Sequence, residues 1–212
     1  MVNTVVLVSG GGTNLQAILD SIADGRIKNC RLSAVISSGP DAYALTRARN
    51  AGVPAKVVDV SLYPDREAYT EAMIAACREA EAELVVLAGF LYVLSPNFAE
   101  VYKNRVINIH PALIPSFCGN GAYGLRVHKK ALAYGVKVSG ATSHFVVAEA
   151  DAGPIILQKA VQVEEDDTPE TLQRRIMEQA EWKILPESIS LFCQGRLVVE
   201  GRRVKILPEV TK

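Results

Sequence analysis

The feature that most constrains this chain is an alternation between short aliphatic runs and longer stretches with helical spacing. "TVVLVS" (Thr4–Ser9), "RLSAVISS" (Arg31–Ser38), "AKVVDV" (Ala55–Val60), "LVVLAGF" (Leu84–Phe90) and "RVINIH" (Arg105–His110) read as strands. "NLQAILDSIADG" (Asn14–Gly25), "DAYALTRARNAG" (Asp41–Gly52) and "DREAYTEAMIAACREAEA" (Asp65–Ala82) read as the helices between them. A strand joined to the next through a helix runs parallel to it, and a parallel sheet is covered on both faces. Ligands of such sheets gather outside the carboxyl ends of the strands.

The later part changes style. "VSGATSHFVV" (Val138–Val147) and "PIILQKAVQV" (Pro154–Val163) are strands joined by "AEADAG", a length that suits an antiparallel connection. A long helix is predicted from about Thr168 to Phe192, and "RLVVEGRRVKI" (Arg196–Ile206) reads as a hairpin turning at Glu200-Gly201. The expected fold is α/β: one domain over 1–212, with a Rossmann-like, mostly parallel N-terminal half and a mixed C-terminal half.

Composition narrows the function. A chain of 212 residues that is 49% hydrophobic has ample material for a core. Lysines plus arginines and acids both number 23, so no basic excess points to nucleic acid. Cys30, Cys77, Cys118 and Cys193 are far apart in sequence with no CxxC pairing. A zinc site or disulfide framework is therefore not expected, and a reducing cytoplasm fits. The start, "MVNTVVLVSGGG", has no charged leader region and breaks at glycines, so neither signal peptide nor membrane span is expected there.

"VSGGGTNLQA" joins the first strand to the first helix. Bare N–H groups at a helix start can hold an anion, and Thr13 or Asn14 could cap the helix and bond a phosphate oxygen. Leu15 stands where the dinucleotide pattern GxGxxG needs a small residue, no acid ends the second strand, and there is no GK[ST]. Two readings stay open: a tight turn, or a site for a monophosphate rather than a dinucleotide.

"VINIHPALIP" ends a strand in two polar side chains two residues apart. Such residues share a face, so Asn108 and His110 point one way and Ile109 the other. An amide beside an imidazole can hold an oxyanion or pass a proton; it can also be a polar strand end in water. Asp151, in the "AEADAG" loop, is expected to raise the pKa of a nearby His110. It can equally be a turn residue. His144 reads as a core or cleft residue, and His128 as a surface one. A Ser-His-Asp hydrolase lacks its GxSxG elbow, and a Cys118–His pair lacks any local signature.

Together "LVSGGGTNLQAI", "VVLAGFLYVLSP", "NIHPALIPSFCG" and "HFVVAEADAGPIILQ" resemble, in order and spacing, the folate-dependent phosphoribosylglycinamide formyltransferase family. The resemblance runs from Thr4 to the hairpin. It implies a formyltransferase fold, with a phosphate-binding half over about 1–104 and a catalytic and folate-binding half over about 105–212. It implies transfer of the formyl group of 10-formyltetrahydrofolate, a co-substrate, to the amine of 5′-phosphoribosylglycinamide in purine synthesis, without a metal. Asn108 and His110 would stabilise the tetrahedral oxyanion, His110 would donate a proton, and Asp151 would raise the histidine pKa and order a water. Gly12, Thr13 and Asn14 would hold the substrate phosphate, and Glu181 the sugar hydroxyls. Arg66 would meet the folate tail; Leu91, Tyr92, Val93 and Leu94, with Asn108, would line the folate pocket, and the loop Ala148–Gly153 would close it.

The chain departs from that family's pattern in places. Tyr92 stands where members often have arginine, so contact there is expected through backbone. Ala112 and Ile114 replace Ser and Leu of "HPSLLP", and "CGNGAYGLRVHKKAL" is longer than the compact "PGxxxxxQAL". Methionyl-tRNA formyltransferase would need a further C-terminal domain and a positive surface; formyltetrahydrofolate deformylase would add an N-terminal domain. A phosphometabolite-binding protein without catalysis is the alternative of another class. A homodimer is left open.

Overall fold

The computed structural model describes residues 1–209; positions 210–212, the end of the expected domain, lie outside the described residues. The strands are β1 Val2–Val8, β2 Cys30–Ser37, β3 Ala55–Val57, β4 Leu84–Leu87, β5 Val106–His110, β6 Val138–Phe145, β7 Ile155–Gln162, β8 Leu197–Glu200 and β9 Arg203–Ile206. The helices are α1 Thr13–Ala23, α2 Tyr43–Asn50, α3 Arg66–Glu79, α4 Pro96–Val101, α5 Leu125–Tyr134, α6 Pro169–Ile176 and α7 Trp182–Cys193. All nine strands form one sheet in the order β3-β2-β1-β4-β5-β6-β7-β9-β8.

From β3 to β5 every pairing is parallel; β6 then runs antiparallel to β5 and β7 antiparallel to β6. The fold is thus α/β with a mostly parallel sheet, as the alternation predicts. The chain winds from β1 outward to β3, then returns to β4 on the other side of β1. The connections from β1 and β4 therefore part company, opening a crevice at their carboxyl ends.

The aliphatic runs are buried on both faces. Val6 and Val8 pack with α1, α2, α6 and α7, whereas Val5 and Leu7 pack with α3 and α4. That is why "TVVLVS" reads apolar throughout instead of alternating. Two expected strands are shorter than their sequence runs. β3 stops at Val57, and Val60–Leu62 forms a 3₁₀ turn capped by the Asp59 carboxylate. β4 stops at Leu87, with Gly89 at positive φ turning the chain along the crevice.

The expected single helix from Thr168 to Phe192 is present as one continuous helical run, but its turns are not uniform. Thr168 caps α6, and a π-helical segment, Met177–Glu181, precedes α7. Among the described residues no helix is long and apolar enough to cross a membrane.

Candidate active site

The crevice is a cleft of about 350 Å³, a size suited to a small molecule. The β1–α1 turn supplies Thr13 and Asn14, and the segment after β4 supplies Leu91 to Ser95. The end of β5 supplies Asn108 and His110, β6 supplies His144, and the β6–β7 loop supplies Val147, Ala148, Ala150 and Asp151. Glu181 completes the wall. Among the described residues no lysine or arginine lines it, and the acids that do are Asp151 and Glu181.

The strand-end pair and the loop carboxylate converge. Asp151 Oδ2 lies 3.5 Å from His110 Nδ1, and its Oδ1 lies 3.5 Å from Asn108 Nδ2. Both β5 side chains reach one carboxylate because they share a strand face. Asp151 is itself held at positive φ, a conformation aspartate adopts more readily than most residues, and the Gly119 N–H donates to Oδ2 at 2.9 Å.

His144, which sequence reasoning left as core or cleft, is a member of this group. It sits directly opposite Asn108 across β5 and β6. Its Nδ1 donates to the Phe145 carbonyl at 2.9 Å, leaving Nε2 to accept from Asn108 Nδ2 at 3.1 Å. The imidazole therefore fixes which way the Asn108 amide is turned. A polar residue at the facing position of an adjacent strand was the signal available, but strand register is not legible before the fold is known.

The electrostatics correct one expectation. His110 is almost fully buried, and that burial holds its pKa below the ordinary histidine value. Asp151 and the Phe117 carbonyl push upward, but burial prevails and His144 adds to it. The expectation of a raised pKa counted the carboxylate and left out the desolvation. Burial pushes the Asp151 carboxyl up, yet the His144 and His110 imidazoles beside it and the Gly119 N–H together hold it below its usual value. The His110 Nε2 lies 3.0 Å from the Phe117 carbonyl, so both ring nitrogens face acceptors. A protonated ring satisfies both; a neutral one satisfies a single partner.

The glycine loop is built differently from its expected capping. Neither Thr13 nor Asn14 caps α1; Gly12 is the N-cap, at φ +72°. Thr13 and Asn14 lie inside the first turn, which leaves their N–H groups without intrahelical partners. The Thr13 hydroxyl lies 3.8 Å from Met177 Sδ. A Cβ on Gly12 would lie 2.7 Å from the Ala44 Cβ, so this glycine permits close packing of α2 and does not itself line the cleft. Asn14 is buried, with its amide donating to Glu181 Oε2 at 2.7 Å. Burial raises the Glu181 carboxyl to about 7, with the Asn14 bond opposing.

Glu181 reaches the cleft because of the π-helical segment. Leu172, Ile176, Ala180, Ile184 and Ser188 are all buried and follow every four residues. A regular helix of about 3.6 residues per turn would carry such a series around the axis; a wider turn keeps it on one face. The strict four-residue spacing was the signal for this wider turn.

Other residues fall elsewhere. Leu91, Tyr92 and Val93 are exposed on the cleft wall, and Tyr92 stacks edge-on to Tyr69 and Phe90. Arg66 is not on the wall: it pairs with Glu67, whose carboxylate accepts from the wall residue Ser95. Cys118 also stays off the wall, donating to the Pro115 carbonyl. His128, expected at the surface, is fully buried with neither ring nitrogen bonded. It lies on the inner face of α5 with Val127 and Ala131, and burial, then the charge of His110, lowers its pKa to about 4.

A family model described as formyl transferase matches residues 2–189. The chain belongs to the formyl transferase family. This formyl transferase is 42% identical over 195 residues to the phosphoribosylglycinamide formyltransferase of Escherichia coli, covering 92% of this chain and 89% of that one. It is 41% identical over 199 residues to the trifunctional purine biosynthetic protein adenosine-3 of Bos taurus, covering 93% of this chain but 19% of that longer protein. Among solved structures it resembles glycinamide ribonucleotide transformylase 1 from Symbiobacterium toebii, with a TM-score of 0.92 and 49% identity over 98% of this chain and 95% of that one.

Proposed function

We propose that this formyl transferase moves the formyl group of 10-formyltetrahydrofolate to the glycyl amine of 5′-phosphoribosylglycinamide, a step of purine synthesis. One observation carries the reading: Asn108, His110 and Asp151 meet at the end of β5, in a cleft that also reaches the β1–α1 turn. The named relatives supply the substrates.

Each residue has a task its surroundings suit. Asn108, turned by the hydrogen it gives His144, directs its other amide hydrogen to where oxyanion charge develops. His110, kept largely neutral by burial, accepts the proton of the attacking amine and returns it to the leaving nitrogen. Asp151, held ionised, stabilises the imidazolium formed between those events and orders a water. Peptide N–H groups of Thr13 and Asn14 hold the phosphate at the start of α1, in a turn whose shape Gly12 permits. Glu181, positioned by Asn14, accepts from the sugar hydroxyls. Leu91 to Leu94 and Asn108 receive the folate, with Tyr92 contacting it through backbone. Its tail leaves past Ser95, where Arg66 stands beside Glu67.

In this reading residues up to about 104 bind phosphate, and those from about 105 onward bind folate and catalyse. No metal takes part. The protein works in the cytoplasm on small molecules, without nucleic acid or membrane, alone or as a homodimer. The test mixes it with both substrates. N-formylated product is expected; free formate without product indicates a deformylase, and binding without turnover a phosphometabolite-binding protein.

A further inference from the structure

Among the described residues the cleft wall carries no lysine or arginine, yet Arg47 stands just behind it. This half-buried residue of α2 lines a second cavity of about 400 Å³, and Thr13 lies on the wall of both cavities. The Arg47 guanidinium brackets the start of α1. Its Nε donates to the Gly11 carbonyl at 2.8 Å, just before the N-cap Gly12, and its Nη1 donates to Gln16 Oε1 at 2.9 Å, beyond Thr13 and Asn14. The stem packs against the turn as well. Arg47 Cδ lies 3.4 Å from where a Cβ on Gly12 would stand, and the guanidinium lies over the Tyr43 ring, 5.1 Å from its centroid. Both hydrogen-bond acceptors are neutral, so neither cancels the positive charge.

These contacts have two consequences for an anion at the turn. The first concerns the peptide carbonyls. The Ala44 N–H donates to the Gly10 carbonyl at 3.1 Å and Arg47 donates to the next one, so both oxygens are drawn toward α2. In a trans peptide the carbonyl and the following N–H point opposite ways, so holding the oxygen fixes the whole unit. A carbonyl free to turn would bring its negative end beside the open N–H groups of Thr13 and Asn14. The second consequence is charge. Across Thr13 from the cleft, the guanidinium adds to the positive end of α1, and at physiological salt it is felt chiefly over that neighbouring turn. We propose that Arg47 is a positioning residue, which acts through the β1–α1 turn to let it take a phosphate group and so sets the preference for a phosphorylated substrate. The inference rests on the reading that this turn holds the substrate phosphate.

Arg47→Met removes the charge and both hydrogen bonds, whereas Arg47→Lys keeps the charge without the two-point hold. If methionine unfolds the protein, Arg47→Gln, which can still donate to Gly11, takes its place. The full-length parent and variants are titrated by calorimetry with inorganic phosphate and with phosphoribosylglycinamide, and KM and kcat are measured for both substrates. Arg47→Met should weaken both phosphate-bearing ligands by roughly tenfold, the order expected of one charge acting across a single turn. KM for phosphoribosylglycinamide should rise to match, with kcat and the KM for formyl-folate changed by less than about twofold. Arg47→Lys should fall between parent and methionine variant. A methionine variant that binds like the parent would overturn the inference, as would equal losses toward phosphoribosylglycinamide and formyl-folate, the mark of a merely structural role. A lysine variant equal to the parent would overturn the hold on the carbonyl; one equal to the methionine variant would overturn the role of charge. A parent that binds neither inorganic phosphate nor phosphoribosylglycinamide would overturn the phosphate reading of the turn, and this inference with it, whatever the turnover.

Discussion

Gly12→Ala separates scaffold from ligand contact in the β1–α1 turn. At φ +72° an L side chain is strained by roughly 1–2 kcal/mol. The new Cβ would also meet the Ala44 Cβ at 2.7 Å and its Cα at 2.9 Å. Ala44 cannot simply recede, because its N–H donates to the Gly10 carbonyl at 3.1 Å. Overpacking of this kind costs typically about 1–3 kcal/mol. The sum, about 2–5 kcal/mol, corresponds to a fall in Tm of roughly 5–15 °C for a chain of this size. Ala44→Gly removes the nearer obstructing atom but leaves the Cα at 2.9 Å and the strained φ. Although that change alone costs about 1 kcal/mol in a helix, the double variant should be more stable than the two losses predict, by part of the overpacking cost of about 1–3 kcal/mol. Gly10→Ala and Gly11→Ala meet no atom within 4 Å and should melt like the parent, which makes them the cleaner probes of phosphate approach. Thermal melts and urea titrations of these variants decide the matter. An unchanged Tm for Gly12→Ala, or strictly additive losses in the double variant, would refute the close-packing argument.

His110→Ala and Asp151→Asn should each lower kcat by orders of magnitude, and the double variant by far less than their product; multiplicative losses would show that the two act independently. Asn108→Ala should lower the single-turnover rate about a hundredfold with both substrate affinities little changed, the loss of one oxyanion donor being worth about 3 kcal/mol; severe loss of folate affinity at a normal saturated rate would make it a binding residue. Stability should also carry opposed pH limbs. The folded His128 resists protonation down to about 4, so its contribution of about 3 kcal/mol is present above pH 6.5 and lost as pH falls from there to about 4. Glu181, raised to about 7, costs stability as pH rises from about 4.5 to 7. In urea titrations across pH, His128→Leu should remove the first limb and Glu181→Gln the second; unchanged profiles would refute both.

Much of this was legible because it rests on local rules. Apolar runs separated by helical spacing implied the parallel sheet, and Pro111 after "NIH" placed Asn108 and His110 together at a strand end. What was not legible depends on juxtaposition. His144 joins Asn108 through the register of β5 against β6, which no short stretch encodes. His128 looked like a surface residue because lysines follow it, yet the helix turns it inward. The pKa of His110 needed both the carboxylate and the burial, and the sequence displayed only the carboxylate. Arg66 carries a motif-based role; it lies outside the cleft wall, paired with Glu67.

Among the described residues the cleft wall has no lysine or arginine, which bears on how ligands arrive. Long-range steering needs a field that survives beyond the Debye length, about 8 Å at physiological salt. This chain has no net charge, and its cleft offers an anion peptide and amide hydrogens, which act only at contact. Encounter would then be governed by diffusion and orientation alone, and discrimination would begin after arrival. Anion capture in such a cleft is expected to depend less on ionic strength than capture by a ring of lysines would.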